Sequence, residues 1–145
     1  MKKKVIGMIP SRMNSTRFPG KALALILGKP MIYWVYKSAS KVKMLDEIFV
    51  ATSDKEIEEC CKKYNIPCIC NKTNETTAAQ KIAIESDNLD GDIYINIQGD
   101  EPLIDPGAIE SIIDTMLNDE SLEYVGLKSK ITNEEEFYDR NVVKV

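Results

Sequence analysis

The sequence predicts an α/β fold of three layers, a mostly parallel sheet covered by helices on both faces. Three observations predict it. Apolar runs at residues 5–9, 47–52, 67–70 and 93–97 each have the length of one buried strand. Segments with apolar residues at helical spacing separate those runs, and several open on a capping residue or a proline. Strands that alternate with helices of ten or more residues pair in parallel and need a helical layer on each face. The chain has 145 residues, 43% hydrophobic and 29% charged, which suits a single domain over 1–145 with a core of its own. No repeat, low-complexity tract or linker interrupts it.

Residues 5–9, Val-Ile-Gly-Met-Ile, form the first strand. Residues 22–27 are apolar and either run along the sheet surface or make a short hairpin, ended by Gly28-Lys-Pro30. Pro30 suits a first helical turn, and Met31, Trp34, Val35 and Ala39 carry that helix to about Lys41. Residues 47–52 form the second strand. Ser53-Asp-Lys-Glu56 reads as a capping box that opens a helix through Lys63, with Ile57, Cys60 and Cys61 in its apolar stripe. Residues 67–70 form a short third strand, on which Cys68 and Cys70 share one side. Residues 71–75 are polar and loop-like, and residues 76–86 form a helix. Ile93, Ile95 and Ile97 mark the fourth strand, stopped by Gln98-Gly-Asp-Glu-Pro102. Asp105 caps and Pro106 starts a helix with Ile109, Ile112, Ile113 and Met116 on one face. Residues 124–131 predict a fifth strand, Thr132-Asn-Glu-Glu135 a further capping box with a short helix, and residues 142–145 a last strand.

The totals narrow the function. A net charge of −4 speaks against a general nucleic-acid binder, so any basic site must be local. The lysines at positions 2–4 precede an apolar run too short for a signal peptide, and no run reaches the length of a membrane span, so a cytoplasmic protein is expected. The chain has no histidine, which removes Ser-His-Asp and Cys-His catalysis. Cys60, Cys61, Cys68 and Cys70 lack the spacing of a zinc site and are expected as buried free thiols. There is neither a G-x-G-x-x-G fingerprint nor a P-loop.

Two loops carry chemistry. Pro10-Ser-Arg-Met-Asn-Ser-Thr-Arg-Phe-Pro-Gly-Lys21 leaves the first strand with three cations, several hydroxyl or amide groups and a Pro/Gly-shaped backbone. That combination suits an anionic, phosphate-bearing ligand. Gln98-Gly-Asp-Glu-Pro102 leaves the fourth strand with two adjacent carboxylates. In open parallel sheets, ligands bind beyond the carboxyl ends of the strands, so both loops belong to one crevice. A carboxylate at Asp100, opposite Arg12 and Lys21, fits a magnesium–nucleotide site, because magnesium takes one or two carboxylates plus substrate phosphates. Asp105 already caps the next helix, which leaves Asp100 without a capping role. Glu101 fits either direct or supporting duty.

At these motifs the chain resembles the 3-deoxy-manno-octulosonate cytidylyltransferases, the CMP-Kdo synthetases. The likeness rests on the first loop, on Gly28-Lys-Pro-Met31, Val50-Ala-Thr52 and Asn96-Ile-Gln-Gly-Asp-Glu-Pro-Leu-Ile104, and on Asn141-Val-Val-Lys-Val145, in order and at compatible spacing. Acylneuraminate cytidylyltransferases and the cytidylyltransferase-like proteins of spore-coat polysaccharide synthesis are similar more loosely. The resemblance implies a Rossmann-like nucleotidyltransferase fold, incomplete at the C-terminus, and transfer of CMP from CTP to an acidic sugar with release of pyrophosphate, for surface polysaccharide. It implies Arg12, Lys21 and Asp100 as catalytic residues, and Ser11, Arg12, Met13, Lys21 and Gln98 around the nucleotide. Asp100 would bind Mg2+, the implied cofactor, while Arg17 and Lys72 would shape the loop or meet the sugar.

The chain departs from that family in two respects. Where the family carries a Thr-Arg pair and then Ser-Gly-Thr-acidic-Arg, this chain has Asn71-Lys72 and Thr77-Ala-Ala-Gln-Lys81. A lysine does not reproduce the planar fork of an arginine, so the sugar's identity does not carry over with the motif. The family's chain also continues past the Asn-Val-Val-Lys-Val segment, with a further metal-binding Asp, much of the sugar pocket and the dimer contacts. A second copy or a complementing C-terminal chain is therefore an expected partner. A second expectation, of another class, is a non-catalytic or partner-dependent nucleotide-binding module.

Overall fold

The computed structural model describes residues 2–15, 18–72 and 77–145. Four parallel strands make the central sheet: β1 (Val5–Pro10), β4 (Glu47–Thr52), β5 (Cys68–Cys70) and β6 (Ile93–Asn96), in the order β5-β4-β1-β6. The pairing sets Ile6 beside Glu47 through to Pro10 beside Ala51, and on the other side Val5 beside Ile93 through to Met8 beside Asn96. A separate antiparallel hairpin joins β2 (Leu25–Ile26) to β3 (Lys29–Pro30). Its turn places Leu27 and Gly28 at φ 49° and 74°, and only the second residue is one to which positive φ comes freely.

Because side chains alternate across a strand, the apolar runs present two faces. Val5, Ile9, Val50, Ile93 and Ile95 face one way, packed with α1 (Met31–Ala39), α2 (Lys55–Lys63) and α4 (Pro106–Asn118) through Ile32, Val35, Ile57, Cys61, Ile109 and Ile113. Ile6, Met8 and Ala51 face the other way, against Ile82 of α3 (Ala78–Ser86) and Tyr94. The three-layer α/β arrangement is therefore as the sequence predicts, with α1, α2 and α4 on one face and α3 on the other among the described residues. Burying a residue such as Ile113 completely is worth roughly 1.5–3 kcal/mol. No described helix is long and apolar enough to cross a membrane.

Several predicted elements differ. Residues 124–131 and 142–145 form no strand. Tyr124, Leu127 and Val143 are exposed, so these stretches have no layer to bury against, and extended backbone without burial does not offset its conformational entropy. The predicted box at Ser53 does not form: Asp54 takes the N-cap position of α2 and makes no side-chain cap bond. The short helix α5 (Glu134–Tyr138) is capped by Asn133, not Thr132. α3 opens instead on a Thr77–Gln80 capping box, in which each side chain meets the other residue's backbone N–H. Residues 73–76, where the loop and the start of that helix were expected, lie outside the described residues. Of the four free cysteines only Cys61 is fully buried. Its hydrogen bond with Cys68 pushes the Cys61 thiol up, with burial adding to the effect, and lowers that of Cys68.

Candidate functional site

The strand order reverses between β1 and β6. The chain runs from β1 outward to β4 and β5, then returns to the other side of β1, so the loops leaving β1 and β6 part company and open a crevice there. A cleft of about 540 Å³ occupies that position. Ser11, Arg12, Asn14, Ser15 and Lys21 line it from the first loop; Gln98, Gly99 and Asp100 from the second. Ser53 and Asp54 beyond β4, with Thr77, Ala78 and Lys81 of α3, complete the wall.

The first loop is held at defined points. The Ser11 N–H donates to Ala51 O at 2.9 Å, and the Met13 N–H donates to Asp54 Oδ2 at 2.7 Å. Met13 O accepts from the N–H groups of Ser15 (3.0 Å) and Gly20 (2.9 Å), closing the loop on itself. Gly20 sits at φ 70°, where glycine bears no steric cost, and hands the chain to a 3-10 turn, Lys21–Leu23. Gly99 brings the two loops into contact: a Cβ there would lie 2.6 Å from Pro10 O and 2.7 Å from Ser11 Oγ. Ser11 Oγ is itself buried with no hydrogen-bond partner among the described residues, a donor left available to a ligand.

The charges converge as well. Lys21 Nζ lies 2.5 Å from Asp100 Oδ2, an ion pair across the cleft whose side chains are 32% and 43% exposed. Lys81 is different. It is buried, with Nζ 2.9 Å from Glu85 Oε1, 2.8 Å from Asn71 O and 3.3 Å from Ser53 Oγ. Asn71 Nδ2 in turn donates to Glu85 Oε2 at 2.6 Å. Lys81 thus has its charge balanced in place and ties α3 to the ends of β4 and β5. The positive end of α3 also faces the cleft through Thr77 and Ala78, which favours anions.

Among the described residues no group of three or more His, Cys, Asp or Glu could hold a metal unaided. Asp100, partly exposed on the cleft, offers one carboxylate. That donor set fits a divalent cation arriving with phosphate oxygens of its own.

A family model described as cytidylyltransferase matches residues 6–145. The chain belongs to the cytidylyltransferase family. It is 39% identical over 142 residues to the 3-deoxy-manno-octulosonate cytidylyltransferase of Geobacter metallireducens, covering 98% of this chain and 56% of that protein. It is 40% identical to the same enzyme of Pelobacter propionicus, covering 97% and 55%. Among solved structures it resembles a CMP:2-keto-3-deoxy-manno-octonic acid synthetase complexed with CTP. That match has a TM-score of 0.79 at 36% identity and covers 82% of this chain and 49% of the other. A cytidylyltransferase from Leptospira borgpetersenii matches with a TM-score of 0.68 at 26% identity. The chain spans about half the length of the curated relatives it matches.

Set against the sequence expectations, Ser11, Arg12, Lys21, Gln98 and Asp100 do meet at one cleft. Met13 holds the loop's backbone and packs against the core instead of lining the cleft. Lys72 and Glu101 are exposed and neither lines the cleft; the Glu101 N–H donates to Gln98 O at 3.2 Å. Arg17 lies outside the described residues. Sequence reasoning missed Ser53 and Asp54, because both read as an ordinary helix start.

Proposed function

We propose that this chain carries the nucleotide-binding half of an enzyme that transfers CMP from CTP to an acidic, Kdo-like sugar in surface polysaccharide synthesis in the cytoplasm. The observation that carries the reading is the Lys21–Asp100 pair across the switch-point cleft, beside Ser11, Arg12 and Gln98, in a chain of this family. Lys21 and Arg12 would hold the triphosphate and meet the charge that develops on the departing pyrophosphate, as preorganised cations do. Ser11 and Gln98 would contact the nucleoside, with the Ser11 hydroxyl gaining the partner it lacks. Asp100 would hold Mg2+, which when bound supplies Lewis-acid polarisation and orients the phosphates. The sugar's anomeric oxygen would bond to the α-phosphorus as the α–β anhydride bond breaks, with the hydroxyl proton released to solvent.

A second reading is a nucleotide-binding module that needs a partner for turnover. It is favoured by Lys81, whose donors are consumed within the protein. Pyrophosphate release from CTP and Mg2+ with a panel of ulosonic acids separates the two. Release with one acid supports the enzyme. No release, with CTP still raising the melting temperature, supports the module, and no effect of any nucleotide on melting refutes both.

A further inference from the structure

Asp54 stands at the N-cap position of α2, where an aspartate ordinarily accepts from its own helix's second or third N–H. It makes no such bond. Its Oδ2 instead accepts from the Met13 N–H at 2.7 Å, reaching a residue 41 positions earlier in the chain. Met13 is the point on which the 10–21 loop closes, since its carbonyl receives the N–H groups of both Ser15 and Gly20. Asp54 also lines the cleft, where a carboxylate repels a polyanion. A carboxylate kept there against its electrostatic cost, and diverted from its own helix, has a task in the loop.

We propose that Asp54 is a positioning residue that fixes residues 10–15 in the shape that receives nucleotide, acting through the Met13 N–H as a hydrogen-bond acceptor and not as a charge. The proposal rests on the reading of the cleft as a CTP site. Three variants test it, with CTP and Mg2+ titrated calorimetrically and backbone amide exchange followed at Met13, Ser15 and Gly20. Asp54→Ala removes the acceptor, so CTP binding weakens about tenfold or more and the Met13 amide exchanges faster, while the amides of α2 beyond its first turn are unchanged. Asp54→Asn keeps an acceptor without the charge and restores both binding and protection to within about threefold of the original. Asp54→Ser can cap α2 but is too short to reach Met13, so it behaves as Asp54→Ala does and carries the test if the alanine variant does not fold.

Unchanged CTP affinity and unchanged Met13 exchange in Asp54→Ala or Asp54→Ser overturn the proposal. Asp54→Asn as weak as Asp54→Ala also overturns it, because the charge is then what matters. If the original chain binds no CTP, the functional reading fails separately, and the exchange rates alone decide whether Asp54 holds the loop.

Discussion

Asp100→Asn keeps the size of the side chain facing Lys21 and removes its charge. The two side chains are 32% and 43% exposed, so water screens their attraction, and pairs of this kind contribute about 0.2–1 kcal/mol to stability. In a domain of this size 1 kcal/mol shifts melting by roughly 3–5 °C, so the ligand-free variant melts within a few degrees of the original. Binding is another matter. If Asp100 supports the metal and Lys21 the triphosphate, each variant loses a charge-assisted contact worth about 1.5–3 kcal/mol. That loss is about 10- to 150-fold in Kd. Calorimetric titration of CTP with Mg2+, paired with melting curves of Asp100→Asn and Lys21→Ala, reads both quantities. A ligand-free melting temperature lowered by roughly 10 °C or more would assign the pair a structural role. CTP affinity unchanged in both variants would refute the reasoning.

Three further outcomes follow from the geometry. Gly99→Ala must push apart the two loops, since its Cβ would lie 2.6 Å from Pro10 O; a loss of about 1–3 kcal/mol in urea unfolding is expected, with weaker CTP binding. Glu85→Ala leaves the Lys81 ammonium buried without its counter-charge and should cost about 3–5 kcal/mol by the same measurement, whereas Lys81→Met with Glu85→Leu together costs less than Glu85→Ala alone. Asp46 accepts from Lys2 Nζ and from the Val5 N–H, which hold its carboxyl below the ordinary value of 3.8. Its contribution is therefore present above that value and lost as pH falls through the lowered one, so Asp46→Asn differs from the original at neutral pH and the two stability curves converge in acid.

The sheet was legible because its strands are apolar on both faces, and period and length then leave little choice at residues 5–9, 47–52 and 93–97. The crevice was legible for the same reason: once the sheet is parallel, the loops after β1 and β6 must share an edge. What escaped was decided by distant partners. Residues 124–131 begin apolar and β-prone, yet Tyr124 and Leu127 remain exposed because no layer covers them. Ser53-Asp-Lys-Glu56 carries every letter of a capping box, yet Asp54 is claimed by Met13, a contact that exists only after β1 and β4 have paired. Lys81 read as a poor substitute for arginine, and the structure gives its compact ammonium three acceptors from three different segments.

In the proposed function the switch-point cleft binds a magnesium–cytidine triphosphate through the 10–21 loop and Asp100. The most direct measurement is a thermal-shift titration of the chain with CTP, UTP and ATP, each with and without Mg2+. The expected result is a concentration-dependent rise in melting temperature with CTP, greater with Mg2+ than without it and moved to about 10- to 150-fold higher CTP in Asp100→Asn. A rise that is the same for all three nucleotides and indifferent to Mg2+, or no rise at all, would contradict it.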